Sequence, residues 1–159
     1  MTQICYTPIG IIRSPFKVPV GMPIQAAATE TRGEIELIPA YQTGLRDLAG
    51  FSHLILLYHF HLIRGFQLIV TPFLDTEPHG IFATRSPARP NTIGLSVVRL
   101  LQVEADRLQI AEVDIVDGTP LLDIKPYVPA FDHRQNATIG WFKEKVGNLH
   151  QTLADQRFV

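Results

Sequence analysis

The sequence predicts a mainly β protein, a single-domain β-barrel with a short helix and a C-terminal amphipathic helix. Three observations predict it. Apolar runs rich in β-branched and aromatic residues recur along most of the chain, some alternating with polar residues at period two. Proline and glycine punctuate their ends: Pro15, Pro19, Pro23, Pro72, Pro78, Pro87, Pro90, Pro120, Pro126 and Pro129 stand where strands should stop. At 159 residues and 46% hydrophobic content, the chain can bury one good core.

In chain order, YTPIGII (residues 6–12) opens the core, and GEIELI (33–38) sets apolar against acidic residues at period two. TGLRDLAG (43–50) reads as a short helical turn. FSHLILLYHFHLI (51–63) is a long β-rich run expected to be buried on both faces. Further strands are expected at 79–84, 95–105 and 107–116. In residues 139–153, Ile139, Phe142, Val146, Leu149 and Leu153 fall three and four apart, the stripe of an amphipathic helix that caps the barrel or packs on a partner. The expected division is a barrel over 4–135 and a helix with a loose tail over 136–159.

Composition excludes several function classes. Fourteen basic and fifteen acidic residues leave a net charge of −1, which is no footprint of a general nucleic-acid binder, so any such contact must be local. Cys5 is the single cysteine, which rules out an internal disulfide framework and a cysteine-rich zinc site. The first residues show no signal-peptide pattern, and LILLYHFHLI is too short to cross a bilayer. The expected protein is cytoplasmic and makes no membrane contact.

The stretch GIFATRSPARPNTIGLSVV (80–98) carries the most chemistry. Arg85 and Arg89 are four apart, but Pro87 and Pro90 forbid a regular helix and push their predecessors into extended backbone. Two arginines on a stiff loop suit a small anionic ligand, because the guanidinium fork gives paired charge-assisted bonds. Ion pairs that merely tie loops together explain them equally well. His53, His59 and His61 share parity, yet His53 is too far along a strand to join the other two at a metal. No carboxylate or cysteine motif completes a set, so no metal is expected. Asp114, Asp117 and Asp123, with Lys125 beyond, form a polar group denser than the turn at Asp117-Gly118 requires. No two glycines are spaced G-x-G, and no phosphate loop, nucleophile elbow or H-E-x-x-H helix is present.

The strings IGIIRSPFK (9–17), Pro23 to Gln25, FSHLILLYHFH (51–61), GIFATRSPARPNTIGLSVV and VDGTPLLDIKPYVP (116–129) together resemble the TsaA-like, or TrmO, family, in the short form without the C-terminal extension. The resemblance implies a β-barrel methyltransferase that uses S-adenosyl-L-methionine, methylates N6 of N6-threonylcarbamoyladenosine at position 37 of tRNA, and forms a homodimer with the cofactor near the interface. Carried over by position, it implies a cofactor set of Pro23, Ile24, Gln25, His61, Leu62, Arg85, Leu95, Asp117, Gly118, Thr119 and Pro120. Arg89, Arg13, Lys17 and Lys125 are then left for the RNA. His59, His61, Asp117 and Asp123 are the candidate proton acceptors. Thr92 stands where the family usually has proline. The alternatives are a methyltransferase acting on a small molecule or another RNA, and a non-catalytic ligand-binding module.

Overall fold

The computed structural model describes residues 2–158. Its strands are β1 (Gly10–Arg13), β2 (Arg32–Leu37), β3 (His53–His59), β4 (Ile69–Val70), β5 (His79–Gly80), β6 (Ile93–Glu104), β7 (Arg107–Ala111) and β8 (Thr119–Pro126). Six of them close an antiparallel barrel in the order β1-β2-β7-β6-β3-β8, and β4 pairs with β5 in a separate two-stranded ribbon. Closure comes from β8, which pairs with β1 on one side and β3 on the other and so leaves the barrel no free edge.

Period-two alternation decides what each strand buries. Ile12, Ile35, Leu54, Leu56, Val98, Leu108, Ile110 and Leu121 point inward and pack with Val113 and Ile115 into one cluster. Burying each such side chain stabilises the fold by about 1.5–3 kcal/mol. The outward positions of β2 carry Glu34 and Glu36. Glu36 receives Arg13 at 2.9 Å and Arg107 at 3.6 Å, while Glu34 pairs with Arg107 and Gln109. These exposed ladders fix register more than stability, at about 0–1 kcal/mol each.

Several expectations change on the structure. Residues 51–63 are not buried on both faces: Leu54, Leu56 and Tyr58 enter the core, Ile55 and Leu57 look outward half-buried, and the strand ends at His59. A closed barrel has only one dry side. Residues 43–50 form 3₁₀ turns rather than an α-helical turn. Residues 79–84 supply the short β5 and a 3₁₀ turn. The C-terminal stripe does not lie on an α-helix. Residues Gly140–Glu144 and Val146–Asn148 are separate 3₁₀ segments, and Gly140 sits at φ +55°. Spacings of three about each segment, with Lys145 between the two, keep Ile139, Phe142, Val146 and Leu149 on the cavity side, while Leu153 falls outside it and is exposed.

This segment wraps back over the barrel loops. Gly21 and Met22 exchange backbone bonds with Ala154, each 2.8 Å. The Trp141 indole N–H donates to the Ala83 carbonyl at 2.8 Å, and its ring stacks between His79 and Phe142. Lys145 reaches Asp75 at 3.2 Å, and Arg157 donates to the Pro72 carbonyl at 2.6 Å.

Candidate functional site

A cavity of about 780 Å³ opens at one end of the barrel. Its walls are the end of β3, the starts of β6 and β8, the loop after β1, the loop that precedes β6, and the C-terminal wrap. That volume lies in the range of small-molecule and cofactor sites.

The arginine loop is built around Arg89. Its Nη1 donates to the carbonyls of Thr84 at 3.0 Å and of Ile81 and Ser86 at 3.3 Å each. Thr84 closes the turn through its own hydroxyl, which donates to the Ile81 carbonyl at 2.9 Å. Arg85 is thereby turned outward over the cavity, where Nη1 donates to Gln25 Oε1 at 3.0 Å. Both arginines line the cavity, but Arg89 is committed to the loop carbonyls while Arg85 reaches across to Gln25.

Pro23, Ile24, Gln25, His61, Leu62, Arg85, Leu95 and Thr119 all line this cavity. Asp117, Gly118 and Pro120 lie beside it. The Asp117 carboxylate accepts from the Ser14 N–H at 3.2 Å and from Lys17 at 2.8 Å, and Lys17 holds its pKa below the usual carboxylate value. Gly118, at φ +79°, makes the turn that brings β8 back against β1, and its N–H donates to the Ile12 carbonyl. Pro120 pairs across to Ile11. These three residues hold the cavity floor from behind.

Among the candidate proton acceptors, His61 lines the cavity. Burial and neighbouring His59 hold its pKa below the ordinary histidine value, and its Nδ1 lies 3.4 Å from Thr119 Oγ1. His59 is exposed on the outer face and meets the Thr92 hydroxyl at 3.1 Å, while the Thr92 carbonyl accepts from the Phe60 N–H. Asp123 pairs with Lys125 at 2.6 Å on the outside. Of the cations expected to meet RNA, Arg13 is bonded to Glu36, Lys17 to Asp117 and Lys125 to Asp123, all at the surface.

A buried chain inside the cavity wall was not expected as a site. Tyr58 Oη lies 3.0 Å from Ser96 Oγ, which donates to Asp114 Oδ1 at 2.6 Å. With its one proton spent on the carboxylate, Ser96 accepts from the Tyr58 hydroxyl, so the chain runs in one direction. Tyr58 and Ser96 are only 4% and 3% exposed. Asp114 keeps some surface open to the cavity, yet protein surrounds its carboxyl on nearly every side, and this desolvation pushes its pKa up to about 6. Burial likewise raises the Tyr58 phenol, which stays protonated. The signal in the sequence was a tyrosine and a serine at core-facing positions of strands that are otherwise aliphatic.

These residues fit S-adenosylmethionine. Met22, Phe60, Ile93 and Leu95 give an apolar wall for the adenosyl group, Gln25 offers an amide for hydrogen bonding, and Arg85 provides a guanidinium for a carboxylate.

Comparison with known proteins agrees with this site. The family model for the tRNA-methyltransferase O N-terminal domain matches residues 11–133. A protein of Pyrococcus abyssi named as a probable S-adenosyl-L-methionine-binding protein is 55% identical over 157 residues, covering 98% of this chain and 85% of its own length. The tRNA (adenine(37)-N6)-methyltransferase of Escherichia coli is 37% identical over 152 residues, which is 89% of this chain and 65% of that one. The crystal structure of TrmO from Pseudomonas aeruginosa superposes with a TM-score of 0.75 at 40% identity, covering 88% of this chain and 63% of that one. The chain thus spans most of its archaeal relative and a little under two thirds of the two bacterial proteins. With the family match covering most of its length and ending where the barrel ends, the chain belongs to the tRNA-methyltransferase O family.

Proposed function

We propose that this protein is an S-adenosylmethionine-dependent methyltransferase that methylates N6 of N6-threonylcarbamoyladenosine at position 37 of tRNA. The observation that carries the reading is the convergence of Gln25, His61, Arg85, Leu95 and Thr119, distant in sequence, on one apolar cavity in a chain of this family. S-adenosylmethionine, when bound, supplies an activated methyl group on sulfur. The protein's share is to hold, orient and dehydrate the reactants and to accept one proton. Arg85 takes the cofactor carboxylate and Gln25 a polar edge of the adenosyl group. His61 accepts the proton of the target nitrogen: its lowered pKa keeps it neutral at pH 7, as an acceptor requires.

The RNA is held at few points, since Arg13, Lys17 and Lys125 already have carboxylate partners and the net charge is −1. The salt dependence of tRNA binding is accordingly shallow. Leu62 is exposed at the cavity, and Phe66, Leu68, Ile69 and Phe82, the last 76% exposed, add apolar surface on the neighbouring loops. They favour a homodimer that seats a second copy beside the cofactor. No helix among the described residues is long and apolar enough to cross a membrane, and a cytoplasmic site of action suits a tRNA substrate.

The test is transfer of labelled methyl from S-adenosylmethionine to tRNA with and without threonylcarbamoyladenosine. Label in the modified tRNA alone is expected. Label in neither, with cofactor binding intact, refutes the tRNA assignment and leaves a different acceptor or a binding module.

A further inference from the structure

We propose that Asp114 and Arg85 form a two-point clamp for the zwitterionic end of an α-amino acid, with Asp114 taking the α-ammonium and Arg85 the α-carboxylate. The inference rests on the reading that this cavity takes S-adenosylmethionine, and it gives a specific role to a carboxylate that the sequence marked only as one of an acidic group and that reading leaves unused.

Both charges line the same cavity from different parts of the fold, Arg85 from the loop before β6 and Asp114 from the connection between β7 and β8. Opposite charges lining one cavity gain most by pairing with each other. Here each is engaged by a neutral neighbour instead. Arg85 Nη1 donates to Gln25, and Asp114 Oδ1 accepts from Ser96. Arg85 is exposed at the cavity mouth, while Asp114 lies against the deeply buried Ser96 and Tyr58. An anion and a cation set apart at different depths of one cavity are the complement of a zwitterion.

The rear of the clamp is rigid. The Tyr58 ring packs on Gly94 across the β3–β6 pair, and a Cβ at Gly94 would meet it at 2.1 Å, so no other residue leaves room for it. Tyr58 in turn orients Ser96, and Ser96 orients the carboxylate. The remaining charged groups at the cavity are committed elsewhere or neutral: Arg89 to the loop carbonyls, Asp155 to Arg157 at 2.9 Å, and His61 uncharged at pH 7. Arg85 acts on the Asp114 carboxylate only through space, and no cation among the described residues is in salt-bridge contact with it. An ammonium supplies one.

The test is titration calorimetry of the full chain and of Asp114→Asn with three probes: S-adenosylmethionine, S-adenosylhomocysteine and 5′-methylthioadenosine, which lacks the amino-acid end. A charge-assisted bond of this kind accounts for about 10- to 100-fold in affinity. The variant is expected to lose that factor for the first two probes alike and to bind the third as before. In the wild type, lowering the pH from 7 to 5 protonates Asp114 and weakens the first two by about tenfold, beyond any change in Asp114→Asn, where His61 still titrates. Ser96→Ala removes a bond that favours the ionised carboxyl, so it shifts this pH dependence upward.

Four results overturn the clamp. A loss confined to S-adenosylmethionine places the carboxylate at the sulfonium. Unchanged binding with lost methyl transfer makes Asp114 a proton acceptor. Equal loss for all three probes makes it a structural part of the floor. A wild type that binds neither amino-acid probe defeats the cofactor reading itself, and it is told apart from the others because no variant is needed to see it.

Discussion

Asp114→Asn should make the ligand-free protein more stable at neutral pH. Desolvation raises the carboxyl pKa from 3.8 to about 6, so between these values the folded state binds more protons than the unfolded one. Stability is then fully present below about pH 4 and falls as the pH rises through 6. A shift of about 2 units corresponds to about 3 kcal/mol, the full burden of keeping the group ionised in its cavity wall. Asparagine retains an acceptor for Ser96 and escapes that burden. Its amide, however, faces the Ala26 N–H that assists the carboxylate, which takes back about 1 kcal/mol. The net gain is about 2 kcal/mol at pH 8, worth about 4–8 °C in Tm for a domain of this size, and none at pH 4. Urea unfolding of both proteins at pH 4 and pH 8 measures it. A stability difference that is the same at both pH values would refute the reasoning, because only ionisation of Asp114 makes it pH-dependent.

Gly94→Ala drives a methyl group into the Tyr58 ring and is expected to lower stability by about 1–3 kcal/mol, read from thermal melts, and to weaken binding of S-adenosylmethionine in calorimetry. Arg89→Ala frees three loop carbonyls and costs about 2 kcal/mol in urea unfolding, with Arg89→Lys failing to restore it, since an ammonium cannot reproduce the planar fork. His61→Asn reduces the methyl-transfer rate by about 10²–10⁴-fold. In the wild type the rate falls as the pH drops through the His61 pKa, which lies below 6.5, and a single-turnover profile of the variant without that limb checks the assignment.

The barrel was legible because period two is a local signal: Ile12, Ile35, Leu54 and Val98 announce an inward face whatever lies next to them. β8 was harder. Pro120 and Pro126 bracket it, so it read as turn chemistry, and its pairing with β1 and β3 is a long-range event that no window of sequence contains. The C-terminal stripe predicted the apolar side for all but Leu153 and the helix wrongly, since spacings of three and four do not separate an α-helix from short 3₁₀ turns interrupted at Lys145. The stiff arginine loop was visible from Pro87 and Pro90, but only the family resemblance, and nothing in the local chemistry, separated Arg85 from Arg89. That distinction depends on where the loop carbonyls of Ile81, Thr84 and Ser86 point. Asp114 stood in view as one of several acidic residues. Only the fold brings Ser96 and Tyr58 behind it.

The family match ends at residue 133, yet the cavity wall does not. Trp141, Phe142, Val146 and Leu149 cover the cavity from residues beyond the barrel, held by the Trp141 bond to Ala83 and by the Lys145 contact to Asp75. Asp75 is in turn bonded by His79, which holds its carboxyl well below the usual range and keeps it charged for Lys145. The anchor of the C-terminal wrap and the stack on Trp141 therefore share one residue, His79. The barrel places the polar groups, and the wrap adds apolar cover to the cavity they line. The raised pKa of Asp114 comes from its burial beside Ser96 and Tyr58 at the barrel end, and the wrap lines the same cavity.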